Sequence, residues 1–226
     1  MLGLGFLVPF LVFTGFLLLL LVSLSIPIIH TISILNIAAN VRAGFTNTSL
    51  SGGIKFGLWG YCISDITGTL IGISRTQAGY CSKSKLGYDI DNQVLSALGI
   101  EDLNDFISRG LTFVLVLHPI ACGLAFLALL FAIMLAFRPA RLASAMTLIF
   151  AVLAAIVATV AFAVDVALTT IAKNKIGDVT DNELKVTYGA VPWMTLGAMV
   201  ALWAATVAAC CGIFLGGRRR RAAEKY

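Results

Sequence analysis

Apolar and polar positions fall into long separate blocks along this chain. Leu2–Ile29, Leu111–Phe137, Leu142–Ala172 and Val191–Leu215 are almost wholly apolar. Each exceeds the roughly 20 residues that a helix needs to cross about 30 Å of hydrocarbon. The pattern predicts an all-α membrane protein, a single tetraspan domain over residues 1–226. Its helices are expected at about residues 6–29, 111–137, 142–172 and 191–215. Outer loops are expected at 30–110 and 173–190, and a tail at 216–226. The first stretch has no basic residue and outruns the apolar core of a signal peptide, about 7–15 residues, so it reads as a retained helix.

The interval 30–110 is the only polar segment long enough to fold by itself. Ile54–Cys62 and Ile66–Ile73 read as short strands, bounded by Ser51-Gly52-Gly53 and by Gly79-Tyr80. Asp91 or Asn92 caps a short expected helix carrying Val94, Leu95 and Leu98, ended by Gly99. A further turn with Leu103, Phe106 and Ile107 on one face leads into the second helix. A small sheet with a helical return is the expected form of this loop.

Charge adds orientation. The chain is 59% hydrophobic and 12% charged, about half the usual charged share, with a mean hydropathy of +0.97. The two outer intervals balance their basic and acidic residues. The net charge of +5 therefore comes from Arg138, Arg141, Arg218, Arg219, Arg220, Arg221 and Lys225, offset by Glu224 and Asp165. The positive-inside rule places both termini and the Arg138–Arg141 turn in the cytosol. The basic clusters then face anionic lipid headgroups, and nucleic acid is not an expected partner.

Of five cysteines, Cys62 and Cys81 fall in the first outer loop, on the oxidising side, and are expected to pair; the alternative is two free thiols. Cys122 reads as a packing residue inside the second helix. Cys210 and Cys211 end the fourth, either as palmitoylation sites or as packing. Asn47-Thr48-Ser49 is a glycosylation sequon on the outer side.

Two polar groups stand inside the apolar blocks. Asp165 lies about 10 Å below the outer end of the third helix at 1.5 Å per residue, and His118 is about as deep in the second, just before Pro119. Asp165 is expected to face the bundle interior and hydrogen-bond His118, loop backbone or a water. Its role is then a structural anchor, or else a protonation-sensitive switch. Gly197, Ala201, Ala205 and Ala209, with Ala151, Ala155, Ala158 and Ala161, suggest close helix seams. Trp193 is placed at the outer interface, and Trp203 reads as packing. The sequence carries no H-E-x-x-H, Walker loop, G-x-S-x-G or zinc-ligand spacing, so it calls for no cofactor, metal or small-molecule substrate.

The string Gly57-Leu58-Trp59-Gly60-Tyr61-Cys62, then Gly79-Tyr80-Cys81 and Leu86-Gly87-Tyr88-Asp89-Ile90, resembles the first outer loop of fungal PalI proteins. The likeness continues through Leu115-Val116-Leu117-His118-Pro119, Phe162-Ala163-Val164-Asp165-Val166-Ala167 and Val191-Pro192-Trp193. The wider G-L-W…C signature is shared with claudins and with fungal relatives of cortical eisosome domains. The resemblance implies a claudin-like four-helix bundle with a small extracellular sheet. It also implies a non-enzymatic plasma-membrane role, helping a seven-pass sensor of alkaline pH reach or stay at the cell surface. A structural organiser of cortical domains, acting by lateral self-association, is the alternative. Many PalI relatives carry a long polar tail after the fourth helix, whereas this sequence ends at Tyr226. Partner contacts are therefore expected from the helices, the outer loop or the arginine cluster.

Overall fold

A computed structural model describes residues 2–26, 28–29, 31–43, 48–70, 73–82, 104–137, 141–179 and 184–223. The chain forms α1 (Leu2–Ser23), α2 (Asn104–Phe137), α3 (Arg141–Val179) and α4 (Val191–Ala223). All four are long and apolar enough to cross a membrane, over Phe6–Ser23, Val116–Leu135, Leu142–Asn174 and Val191–Cys211. The strands are β1 (Leu35–Ala43), β2 (Thr48–Phe56), β3 (Tyr61–Ile63), β4 (Ile66–Leu70), β5 (Ile73–Gln77), β6 (Tyr80–Cys81) and β7 (Leu184–Tyr188). This is the tetraspan, claudin-like arrangement, with an antiparallel sheet between the first two helices.

Helix ends differ from the hydropathy boundaries. α1 stops at Ser23 where the apolar run continues to Ile29, and Ser25 and Ile29 instead form an isolated bridge. Pro27 disfavours helical backbone at the residue before it, so the run leaves the helix early. α3 continues past Ala172 to Val179, where Ile176 is buried, and α4 continues past Leu215 through the arginine run. Hydropathy marks where hydrocarbon ends, whereas good helix formers, lysine in α3 and arginine and alanine in α4, extend the helix beyond it.

The chain divides into two compact units. The first contains Met1–Ser23, Leu117–Phe162 and Met194–Tyr226. Its buried positions follow the 3.6-residue period on every helix. They are Val12, Gly15, Leu19 and Val22 on α1, and His118, Ala121, Ala125, Ala128, Leu129 and Ala132 on α2. α3 contributes Ala143, Thr147, Ala151, Ala154, Ala155, Ala158 and Ala161, and α4 contributes Thr195, Ala198, Ala201, Leu202, Ala205 and Thr206. One core layer joins Leu19, Ala121, Ala125, Ala154, Ala155, Ala158, Ala198 and Leu202. A second joins Val12, Ala128, Leu129, Ala151 and Ala205. Alanine at most inward positions of α2 and α3 lets backbones approach, and Leu19 of α1 and Leu202 of α4 pack into the space that it leaves. At Gly15 a methyl group would stand 2.9 Å from Cγ of Leu202, so α1 meets α4 through a missing side chain. Of the expected period-four row on α4, Ala201 and Ala205 are buried and Gly197 and Ala209 stand half-buried, because steps of four drift about 40° around a helix of 3.6 residues per turn; Ala198 and Leu202 share the buried face.

The second unit contains Leu24–Val116 and Ala163–Trp193. Its strands form one seven-stranded antiparallel sheet, ordered β5-β4-β2-β1-β7, with β3 branching from β2 and pairing β6. Ile54–Cys62 is therefore not one strand: β2 ends at Phe56 and β3 begins at Tyr61, with Gly57–Gly60 turning between them. Ile66–Ile73 likewise divides between β4 and the start of β5. Leu35 and Ile37 point inward from β1, as period-two alternation requires, and join Phe56, Tyr61 and Val186 among the buried residues. β7 comes from the connection between α3 and α4 and pairs Leu184–Tyr188 with Ala39–Leu35. Beyond β7, Gly189 N–H donates to Ile34 O (2.8 Å) and Val191 N–H to Ser33 O (3.1 Å). A side chain at Gly189 would overlap the Ser33 carbonyl, so only glycine permits this backbone approach. Pro192 then occupies the first turn of α4, where no amide donor is needed.

Candidate functional site

The most specific sequence motif has a defined structural task. Gly57-Leu58-Trp59-Gly60 is the turn between β2 and β3, closed by Gly57 N–H donating to Gly60 O at 2.8 Å. It docks on the residues that follow α1. Leu58 N–H donates to Ser25 Oγ (3.0 Å), and Trp59 N–H donates to Ile26 O (3.1 Å). Leu58 is 1% exposed and Ile26 and Ser25 are fully buried, so these bonds lie out of water. A Cβ on Gly57 would strike Ile26 Cβ and stand 2.7 Å from Ile26 O. The glycine permits contact, the leucine fills the core, and the two amides grip Ser25 and Ile26. Sequence reading missed Ser25, whose only signal was a hydroxyl near the end of an apolar run.

The turn is secured from the far side by β3 and β6. Cys62 and Cys81 face each other in register and form a disulfide across a loop of sequence separation 19. Tyr61 N–H donates to Ser82 Oγ (3.0 Å) and Ser82 N–H to Tyr61 O (2.9 Å), flanking the bridge. Tyr61 also packs on Phe56 and Tyr80, with ring centroids 6.1 and 6.3 Å apart. Asp65 caps the β5–β6 turn by accepting from Gly79 N–H at 2.7 Å. Disulfide, aromatic ladder and glycine turn thus form one continuous assembly under the motif.

The intramembrane polar residues occupy the buried stripes. His118 is fully buried on α2, and its Nε2 lies 3.3 Å from Thr195 Oγ1 on α4. Sequence reading did not single out Thr195. The α2 helix continues through Pro119. Asp165 is fully buried on α3 and continues the line Ala154, Ala158, Ala161 towards Thr169, whose hydroxyl donates to the Asp165 carbonyl at 2.8 Å. Trp203 Nε1–H donates to Thr159 Oγ1 (3.2 Å), linking α4 to α3, and Trp193 is 65% exposed at the start of α4. Cys122 and Cys210 are half-buried and Cys211 is exposed. Arg218–Arg221 continue α4 as backbone. Asn47, the Leu86–Ile90 string and the expected 91–99 helix lie outside the described residues. Among the described residues, no group of three or more His, Cys, Asp or Glu side chains could hold a metal ion.

Four spanning helices, an antiparallel sheet between the first two, and a disulfide under a Gly-Leu-Trp turn define a claudin-like tetraspan membrane protein. The sequence profile of the SUR7/PalI family matches residues 6–214, and the chain belongs to that family. A comparison with curated protein sequences gives no significant match.

Proposed function

We propose that this protein is a non-enzymatic accessory of ambient-pH signalling in the plasma membrane, with both termini cytosolic. In this reading it binds a seven-pass sensor and keeps it at the cell surface. The observation that carries the proposal is the family match over residues 6–214, joined to a motif that builds the fold. The polar residues fit the same picture. Thr195 and Thr159 bond between helices of the bundle, as packing elements do. The orientation is supported by the excess of arginine at 138, 141 and 218–221. The pairing of β7 with β1 is compatible with this orientation, in which both connections are outer loops.

Affinity capture from detergent tests the reading, asking whether a seven-pass protein copurifies. The gene deletion is also expected to impair growth at alkaline pH, with failure of the downstream proteolytic step. Normal processing combined with loss of stable membrane patches would overturn the accessory reading and favour an organiser of cortical domains.

A further inference from the structure

We propose that Cys211, with Cys210 beside it, is an S-acylation site that takes a long-chain acyl group from a coenzyme A thioester. The inference rests on the cytosolic placement of the C-terminal end of α4 given above. Three observations converge on this pair. First, the apolar stretch of α4 runs from Val191 to Leu215, so both thiols stand within its last two turns. Second, Cys211 is exposed and Cys210 half-buried, so at least one thiol faces out of the bundle. Third, α4 continues as a helix to Ala223 through Arg218–Arg221. Residue 218 lies two turns beyond Cys211 on the same face, about 10 Å further along the axis at 1.5 Å per residue. Residue 221 stands in the same relation to Cys210, three turns on. Four arginines belong among anionic headgroups, and this spacing sets the thiols at the adjoining edge of the hydrocarbon. An acyl chain added there runs back along α4 into the bilayer without crossing the headgroup layer.

The other cysteines cannot compete. Cys122 lies 11 residues from Leu111 and 15 from Phe137 within its apolar stretch and is half-buried, beyond the reach of a thioester carried at the membrane surface. Cys62 and Cys81 are bonded to each other. In the transfer, the Cys211 sulfur attacks the acyl carbonyl and forms a new carbon–sulfur bond. The original thioester carbon–sulfur bond breaks, and coenzyme A leaves as its thiol, carrying the proton that Cys211 gave up. No oxidant or reductant is consumed. A single chain supplies only marginal anchoring by itself, but on a four-helix protein it adds a removable lipid-sorting group.

The full-length protein is expressed in its membrane with a C-terminal tag that carries a glycosylation sequon. Free thiols are blocked with maleimide, thioesters are cleaved with neutral hydroxylamine, and the freed cysteines receive a maleimide-linked polyethylene glycol. One or two hydroxylamine-dependent mass steps are expected. Cys211→Ser should remove most of the signal, and the Cys210→Ser/Cys211→Ser double variant all of it, while Cys122→Ser leaves it unchanged. A step that survives in the double variant overturns the assignment. An unglycosylated tag with no mass step overturns acylation while leaving the orientation standing. A glycosylated tag overturns the orientation and the acylation with it.

Discussion

Gly57→Ala concentrates the reasoning about the motif into one methyl group. The added Cβ would collide with Ile26 Cβ and lie 2.7 Å from Ile26 O and 2.9 Å from Ile26 Cα. Two of these three atoms are backbone, so no rotamer change at Ile26 relieves the overlap. The turn must lift, which loosens Trp59 N–H to Ile26 O and Leu58 N–H to Ser25 Oγ. Each of those bonds contributes about 1 kcal/mol net, and overpacking of a filled core costs about 1–3 kcal/mol. Because relaxation relieves strain by giving up bonds, the two costs overlap, and a total of about 2–4 kcal/mol is expected. For a chain of this size that is a fall in midpoint of about 5–15 °C. The assay is thermal unfolding of detergent-purified protein, read by size-exclusion chromatography after heating. Gly123→Ala is the matched control: nothing lies within 4 Å of its added Cβ, and alanine gains about 1 kcal/mol of helix propensity over glycine. That variant should unfold at or above the wild-type midpoint. A Gly57→Ala midpoint within 1–2 °C of wild type, about the effect of half a kcal/mol, would refute the docking argument, as would equal losses in both variants.

Three further outcomes follow from the same structure. Replacing both Cys62 and Cys81 by serine opens a loop of sequence separation 19 and should cost about 3 kcal/mol in the chain-entropy account, measured by the same thermal assay against the oxidised wild type, with the reduced wild type falling to the same midpoint as the variant. Thr195→Val keeps the shape and removes the hydroxyl beside His118, so a loss of about 1 kcal/mol is expected; a His118→Ala background should abolish that increment in a double-mutant cycle. Asp165→Asn is expected to lower the fraction of this protein leaving the endoplasmic reticulum, scored by microscopy of a tagged copy. Full delivery of the variant would refute the anchoring role.

The spans were legible because a membrane imposes a simple rule: about 20 apolar residues cross it, and charges stay out. The Cys62–Cys81 bridge was legible for a similar reason, since compartment decides which thiols oxidise. The sheet was harder. β1 carries Asn36, Ala38, Ala39, Asn40 and Ala43, residue types that strands disfavour, and forms because β2 and β7 pair with it from both sides. β7 alternates Leu184, Val186 and Tyr188 with Lys185 and Thr187, yet it sits in a short connection that gave no reason to look for sheet. The motif was recognised as a string, but its partners Ser25 and Ile26 were hidden inside an apolar run that resembled uninterrupted helix. The α3 seam was legible by position, since Ala151, Ala155, Ala158 and Ala161 are all buried, whereas on α4 only Ala201 and Ala205 of the expected row are.

The pairing of β7 with β1 also sets a timetable for biosynthesis. Ala39 must wait for Leu184, and Leu35 for Tyr188, so roughly 150 residues separate the two halves of the ladder. At about 5–20 residues per second, β1 is made some 8–30 s before its second neighbour emerges. During that interval the nascent chain presents an open strand edge while two more helices are still being inserted, and an unpaired edge invites pairing with the wrong chain. Completion of the sheet therefore reports that α3 has been inserted and that the start of α4 has followed. A quality-control factor that binds the bare edge of β1 would release the protein only after its third span is in place.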